Sequence, residues 1–189
     1  MIKIGVLAED NSDVEVIREL LQKVAKSRPF AVRSFVGHGC GKLRNKCHDW
    51  AHQLYLKGCA MLLLIHDLDR RKLPALRTDL VKALGNCSIA KHSIIIPVQE
   101  LEAWLLCDAN ALKKTFSMKK LPKIPGNPEF INDPKEKLDA LIWHCSGKTQ
   151  RYMNTIHNQK IAKHVEISEL KKCQAFLEFE KFIKAEMNC

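Results

Sequence analysis

No stretch of this sequence approaches the ~20 consecutive apolar residues that a helix needs to cross a bilayer, which argues against a helical membrane protein. The opening Met1-Ile2-Lys3-Ile4-Gly5-Val6-Leu7 is too short for the apolar core of a secretory signal and runs straight into acidic residues. A cytoplasmic location with no membrane partner is therefore expected. There is no Cys-x-x-Cys pair among the cysteines at 40, 47, 59, 87, 107, 145, 173 and 189, which argues against a structural zinc module. Cys59 and Cys107 sit in apolar stretches, and reduced, mostly buried thiols are expected. Internal repeats and low-complexity tracts are missing as well. Negative charge is in short supply: 21 Asp plus Glu face 31 Lys plus Arg, giving a formal charge of +10 and a pI near 9.3. That excess suits a polyanionic partner, nucleic acid ahead of an anionic membrane surface. A merely basic, soluble surface is the plain alternative.

What is present reads as one domain. The 189 residues, 46% hydrophobic and 28% charged, can bury a self-sufficient core. Apolar residues 2–7, 60–65 and 93–98 read as buried strands, and the alternation over 30–36 as another. Val14, Ile17, Leu20, Leu21 and Val24 keep a helical spacing within 14–25, after a cap at Asn11 or Ser12. Residues 43–56 read as helical, and Pro74 opens a helix running to about Leu84. Strands alternating with helices, and apolar on both faces, predict an α/β fold with a parallel sheet flanked by helices. Residues 1–108 form this core and 109–189 a mainly helical C-terminal extension, broken by a proline-rich surface loop at 121–128.

The acidic residues fall where such a sheet binds ligands, outside the carboxyl ends of its strands. Glu9 and Asp10 follow the first strand, and Asp13 lies one helical turn beyond Glu9. His66-Asp67-Leu68-Asp69 follows the third strand, and Glu100 and Glu102 come just after the fourth. If strand geometry continues, Asp67 and Asp69 point to the same side. Packed carboxylates repel, and in a chain of charge +10 a divalent cation with oxygen ligands, Mg2+ or Mn2+, compensates them best. Two such ions about 4 Å apart support phosphodiester cleavage. The bland reading is that these acids cap helices and turns.

Glu9 after strand one and Asp67-Leu68-Asp69 after strand three give the sequence a resemblance to the Toprim domain, the catalytic fold shared by topoisomerases, DnaG-type primases and OLD-family nucleases. Within that superfamily it looks most like a family of small stand-alone bacterial proteins of unknown function. Ala8-Glu9-Asp10-Asn11-Ser12-Asp13, His66-Asp67-Leu68-Asp69, Glu100-Leu101-Glu102-Ala103-Trp104-Leu105-Leu106-Cys107-Asp108, Asn127-Pro128-Glu129 and Asp133-Pro134-Lys135-Glu136-Lys137-Leu138 carry this likeness over most of the chain. Many Toprim domains place Gly after the first acid, whereas Asp10 stands here. The chain is too short for the tyrosine domain of a topoisomerase or the zinc module of a primase, so the resemblance implies a Mg2+-dependent endonuclease. Glu9, Asp67 and Asp69 would be catalytic, and Glu9, Asp13, Asp67, Asp69, Glu100 and Glu102 the metal ligands, with Glu100 favoured over Glu102. It further implies an ABC-type ATPase partner and a role as effector of an antiphage defence or toxin system; a homodimer stays open. The alternatives are a non-catalytic regulatory or binding subunit of an ATPase or nucleic-acid complex, and chemistry on a small nucleotide.

Two motifs are discounted. His48-Asp49-Trp50-Ala51-His52 imitates a zinc-protease helix, but Asp49 is a methylene shorter than the required Glu and no third ligand is evident. Gly37-His38-Gly39-Cys40-Gly41-Lys42-Leu43 has a phosphate-loop flavour but fails the Walker spacing, with Val36 and Leu43 at key positions. Lys42, Arg44, Arg70 and Arg71 begin close to the acidic edge and are candidate phosphate contacts for DNA or RNA. Lys113, Lys114, Lys119, Lys120 and Lys123 form a further basic cluster, and a solvated helix face explains any one cluster equally. Trp50, Trp104 and Trp143 read as core packing rather than base-stacking platforms.

Overall fold

The computed structural model describes residues 1–26, 28–124 and 126–188. Among them, β1 (Ile2–Ala8), β2 (Phe30–Val36), β3 (Met61–Ile65) and β4 (Lys91–Ile95) form one all-parallel sheet in the order β2-β1-β3-β4. Parallel neighbours need crossover connections. They are supplied by α1 (Asn11–Val24), α2 (Cys40–Leu56) and α3 (Leu73–Leu84).

The two central strands are buried on both sides, and the period of two divides their side chains between two cores. Ile4, Val6 and Ala8 join Met61, Leu63 and Ile65 on one face, where α1 adds Ile17, Leu20 and Leu21. Leu7, Leu62 and Leu64 face the other side, covered by Leu43, Cys47 and Leu54 of α2 and Leu76 and Leu80 of α3. α2 lies so close to β1 that a Cβ at Gly5 would meet Leu54 Cδ1 at 2.9 Å.

The helix α1 begins three residues before its apolar rhythm because a reciprocal capping box sets its start. The Asp10 carboxylate accepts from the N–H groups of Ser12 (2.6 Å) and Asp13 (3.3 Å), while the Asp13 carboxylate accepts from Asp10 N–H at 3.1 Å. The fourth strand spans 91–95 rather than 93–98. It is an edge strand whose first residues, Lys91 and His92, are exposed, so the apolar run marks only its buried half. Pro97 has no N–H to carry the ladder on, and its carbonyl accepts from Leu68 N–H at 3.1 Å instead.

Beyond the sheet the chain is helical: α4 (Glu102–Leu105), α5 (Ala109–Thr115), a 3-10 turn at Pro128–Phe130, α6 (Pro134–Cys145), α7 (Asn154–His164), α8 (Ile167–Leu170) and α9 (Gln174–Met187). This region continues the α1-side core, where Ile142, Ile161, Phe179 and Ile183 share one cluster with Ile4 and Val6. Trp104 is fully buried, edge-on to Phe176 at 5.5 Å. Trp50 is half-buried and stacked on Phe35 at 5.6 Å. Trp143 departs from the expected core role: it lies at the surface, with the Arg151 guanidinium 5.4 Å from its ring.

Residues 121–124 carry no regular structure, and Pro125 of the same expected loop lies outside the described residues. The seven described cysteines are free thiols; Cys189 also lies outside the described residues. No helix among the described residues is long and apolar enough to cross a membrane.

Candidate functional site

The chain leaves β1 toward β2 on one side and later returns to place β3 on the other, so the strand order reverses between β1 and β3. The crevice beyond the carboxyl ends of such a pair is where open parallel sheets take ligands. Glu9 leaves β1 at that point and Asp67 leaves β3. Glu9 Oε1 accepts from Asp67 N–H at 3.2 Å and stands 3.2 Å from His66 Nδ1. His66 Nδ1 also lies 2.7 Å from the Asp67 carbonyl oxygen, which assigns the proton to Nδ1. The His66 ring is 1% exposed, and its Nε2 has no hydrogen-bond partner among the described residues.

A third segment joins through the backbone. Asp67 Oδ1 accepts from Leu101 N–H at 3.0 Å, tying the end of β3 to the loop after β4. Asp69 N–H donates to the Gln99 carbonyl at 3.1 Å and Arg70 N–H to Gln99 Oε1 at 3.0 Å. Asp69, Arg70 and Gln99 all take left-handed backbone, with φ of 49°, 60° and 61°. β3 therefore ends at Ile65, and the loop rather than the two-residue strand period sets how Asp67 and Asp69 relate.

The remaining acids approach from the helical side. Asp13 lies in the first turn of α1 and is 8% exposed. Glu102 opens α4 and is 5% exposed; its Oε1 accepts from the Tyr152 hydroxyl at 2.9 Å and from the Asn158 amide at 3.3 Å. That amide also reaches Ser12 Oγ at 3.3 Å, and the Tyr152 hydroxyl bonds Asn158 Oδ1. Glu100 is half-buried, and its Oε2 accepts from Lys135 N–H at 2.9 Å at the start of α6. Glu102 thus serves the α7 side of the site, and Glu100 the rim beside Asp69.

Ionising these groups together is costly. Burial, then Asp69 and Asp10, push the Glu9 carboxyl up to about 7, against the opposing pull of Asp67 N–H and Arg44. Burial pushes Asp67 well above the usual carboxylate range, and the charges of Asp13, Glu102, Glu9 and Asp69 add to it. Asp13 rises for the same first reason, with Asp10, Glu102 and Glu9 adding. Glu100 is raised by burial and, more weakly, by Glu102 and Asp69. Although the chain carries 31 Lys plus Arg, among the described residues none of them forms a salt bridge with Glu9, Asp13, Asp67, Asp69, Glu100 or Glu102. The site offers several oxygen donors under strong mutual repulsion, opposed only in part by the charges of Arg44 near Glu9 and Lys135 near Glu100, and a divalent cation would suit such a set.

One group that sequence reasoning left among the inert thiols stands inside this set. Ligand atoms of Glu9, Cys40 and Asp69 all lie within 4.8 Å of one another. Cys40 is the first residue of α2. Its only sequence signal was the glycine-rich turn around it. Tyr152 and Asn158 were also missed; they come from 50 and 56 residues beyond Glu102, with no local pattern to mark them.

The basic candidates divide. Among the described residues, Lys42 is exposed and has no ion-pair partner, and Arg44 is half-buried with an unpartnered Nε. Arg70 is paired with Asp133, and Arg71 with Asp79 at 2.5 Å. A shallow depression of about 220 Å³ at this edge is lined by Asp69, Arg70, Gln99, Glu100, Asn132 and Asp133. In the discounted zinc-protease imitation, His48 Nδ1 lies 2.8 Å from the Leu84 carbonyl and His52 Nδ1 lies 3.1 Å from Ser88 Oγ. Both rings are held by the end of α3 and the loop after it.

Residues 8–184 match the family model described as Domain of unknown function (DUF4276). No curated protein and no solved structure matches the chain.

Proposed function

From the premise that the chain belongs to the family described as Domain of unknown function (DUF4276), we propose that it is a metal-dependent nuclease hydrolysing nucleic-acid phosphodiesters. One observation carries this reading: six carboxylates gather at the switch-point edge of the sheet, and among the described residues none is ion-paired by a Lys or Arg, in a chain with charge +10. Glu9 and Asp69 would hold an ion of the Mg2+ or Mn2+ class, with Asp67 and Asp13 behind them. When bound, such an ion polarises a phosphoryl oxygen and makes water acidic enough to react at neutral pH.

The protein's own groups supply the frame. Asp67 gives its N–H to Glu9 and takes the N–H of Leu101, so ligands from three segments are held in one geometry. Without an ion the Glu9 carboxyl is pushed up to about 7, chiefly by burial, and a bound cation would relieve that cost by holding it ionised. Lys42 and Arg44, unpaired beside this edge, favour a phosphate backbone as ligand. The depression is smaller and more open than the roughly 300–1,000 Å³ clefts that enclose small molecules, which favours a polymer over a free nucleotide. The Toprim resemblance supports the same chemistry. An ABC-type ATPase partner and a defence or toxin role rest on that resemblance alone.

The test is cleavage of plasmid, single-stranded DNA and transfer RNA with Mg2+ or Mn2+, by wild type beside Asp67→Ala and Glu9→Ala. Cleavage that both substitutions abolish supports the nuclease. If the variants cut as well as wild type, or nothing is cut with or without the ATPase partner, the reading fails.

A further inference from the structure

We infer that the exposed face built by α5, the loop after it and residues 146–163 is a nucleic-acid grip, which holds a phosphate backbone and leads it to the acidic edge. The inference rests on the reading above for the class of partner and goes past it to the surface that binds. Charge is distributed very unevenly along the chain. Residues 109–128 contain Lys113, Lys114, Lys119, Lys120 and Lys123 and no Asp or Glu. Residues 140–165 contain Lys148, Arg151, Lys160 and Lys163, again with no Asp or Glu. These two segments carry nine positive charges against a formal +10 for the whole chain, so the rest is close to neutral.

All of these side chains are exposed. Arg151 is paired with Asp139, but among the described residues none of the eight lysines has an ion-pair partner. A soluble surface ordinarily mixes both signs, whereas a one-signed stripe is the footprint of a polyanion. The fold brings the two segments together. Gln150 Nε2 donates to the Phe116 carbonyl at 2.9 Å, and the Phe116 ring stands 4.7 Å from that of His157 in α7. A depression of about 410 Å³ is lined by Lys119 and Lys120 from one segment and His144, Ser146, Gly147 and Thr149 from the other. Farther along, the charges of Lys114, Lys163 and Lys23 add to burial in holding the His164 imidazole below its ordinary value. Three helices thus bring ammonium groups into the field of one ring.

The direction of this face follows from α7. At its start Asn154 Nδ2 donates to Asp10 Oδ2 at 3.4 Å, and one turn later Asn158 Nδ2 reaches Ser12 Oγ and Glu102 Oε1, each at 3.3 Å. Lys160 and Lys163 lie toward the other end of this helix, which is about 16 Å long. A backbone laid along α7 therefore runs from lysines to carboxylates. A membrane surface fits less well, because an interfacial helix needs an exposed apolar face. Leu112, Ile161 and Ala162 are turned into the core, and apart from Ile156 the exposed positions of α5 and α7 are polar. Such a surface suits a dense row of phosphates.

The experiment is fluorescence anisotropy in chelator over a salt series, with a labelled single-stranded DNA, the RNA of the same sequence and the DNA duplex. Lys119→Ala/Lys120→Ala and Lys160→Ala/Lys163→Ala should each weaken binding. Each should also make the slope of log K against log salt shallower by about 1.4 on a single strand or about 1.8 on the duplex. Lys57→Ala/Lys82→Ala removes the same charge from the α2–α3 side of the sheet and should leave the slope unchanged. Circular dichroism checks that every variant is folded. An unchanged slope in either face variant, or an equal loss in the Lys57/Lys82 variant, overturns the grip and leaves the nuclease reading standing. Wild-type binding to phosphatidylserine vesicles that the face variants lose, with no binding to any oligonucleotide, overturns it in favour of a membrane surface. Oligonucleotide binding that both face variants weaken, by a protein that cleaves nothing with Mg2+ or Mn2+, supports the grip and overturns only the nuclease.

Discussion

Replacing Glu9 by Gln should stabilise the metal-free protein at pH 8, although Glu9 is the first ligand of the proposed site. Gln keeps an oxygen to accept Asp67 N–H, so the change removes the charge and little else. The carboxyl is pushed from an ordinary 4.5 to about 7 by burial and by Asp69 and Asp10. A group whose folded value is raised contributes stability that is fully present below the unfolded value and is lost as pH rises through the folded one. For Glu9 that window runs from 4.5 to about 7. Above it, carrying the charge costs about 3 kcal/mol. The side chain is 18% exposed, and solvent screening leaves about 2 kcal/mol. For a chain of this length that is a Tm about 4–8 °C higher for E9Q than for wild type at pH 8 in chelator. At pH 5 most of the difference should vanish, because wild type is then protonated in the folded state. Mn2+ should reverse the order, adding about 2.7 kcal/mol to wild type at a hundred times its Kd and far less to E9Q. Calorimetric scans at both pH values, with and without Mn2+, read all of this. An E9Q protein that is less stable than wild type in chelator at pH 8, or that gains as much from Mn2+, would refute the reasoning.

Three further outcomes are expected. Tyr152→Phe removes the buried hydroxyl that serves Glu102 and Asn158 and should cost about 1–3 kcal/mol in urea unfolding, with an unchanged m-value. Gly37→Ala forces a methyl to within 2.7 Å of Gly39 O and should lose about 1–3 kcal/mol together with ion affinity, read by thermal melts and by the Mn2+ titration. Lys42→Ala should weaken nucleic-acid binding evenly across sequences and reduce the slope of log K against log salt by about one, measured by fluorescence anisotropy; an unchanged slope would remove Lys42 from the phosphate interface.

Much of this architecture was legible in the sequence because the buried central strands announce themselves. The short run around Leu62, Leu63 and Leu64 has no polar residue and suits a strand covered on both faces, and its alternation with helices points to a parallel sheet. The edge strand was read two residues late because Lys91 and His92 face solvent and carry no apolar signal. The acids were found by position, since chain order alone places Glu9 and Asp67 at strand ends. Their geometry was not, because Asp69 turns left-handed and breaks the period that a strand would have imposed. Cys40 was passed over because its two companions are 31 and 29 residues away on other segments. Its place depends on hydrogen bonds from Gly37 and Gly39 that no linear spacing encodes. Tyr152 and Asn158 were invisible for the same reason: a buried polar partner is defined by what it faces.

The core on the α1 side of the sheet has a consequence for how this protein changes over time. Ile4 and Val6 share one apolar cluster with Phe179 and Ile183, and Glu102 is held by Tyr152 and Asn158. The first hundred residues are therefore not a portable cassette. Separated from the C-terminal helices, that face of the sheet would keep only the cover of α1 and lose the packing of Phe179 and Ile183. The acidic edge and the last helix therefore depend on one shared core, whereas the exposed connection around Lys119 to Leu121 can change without touching it.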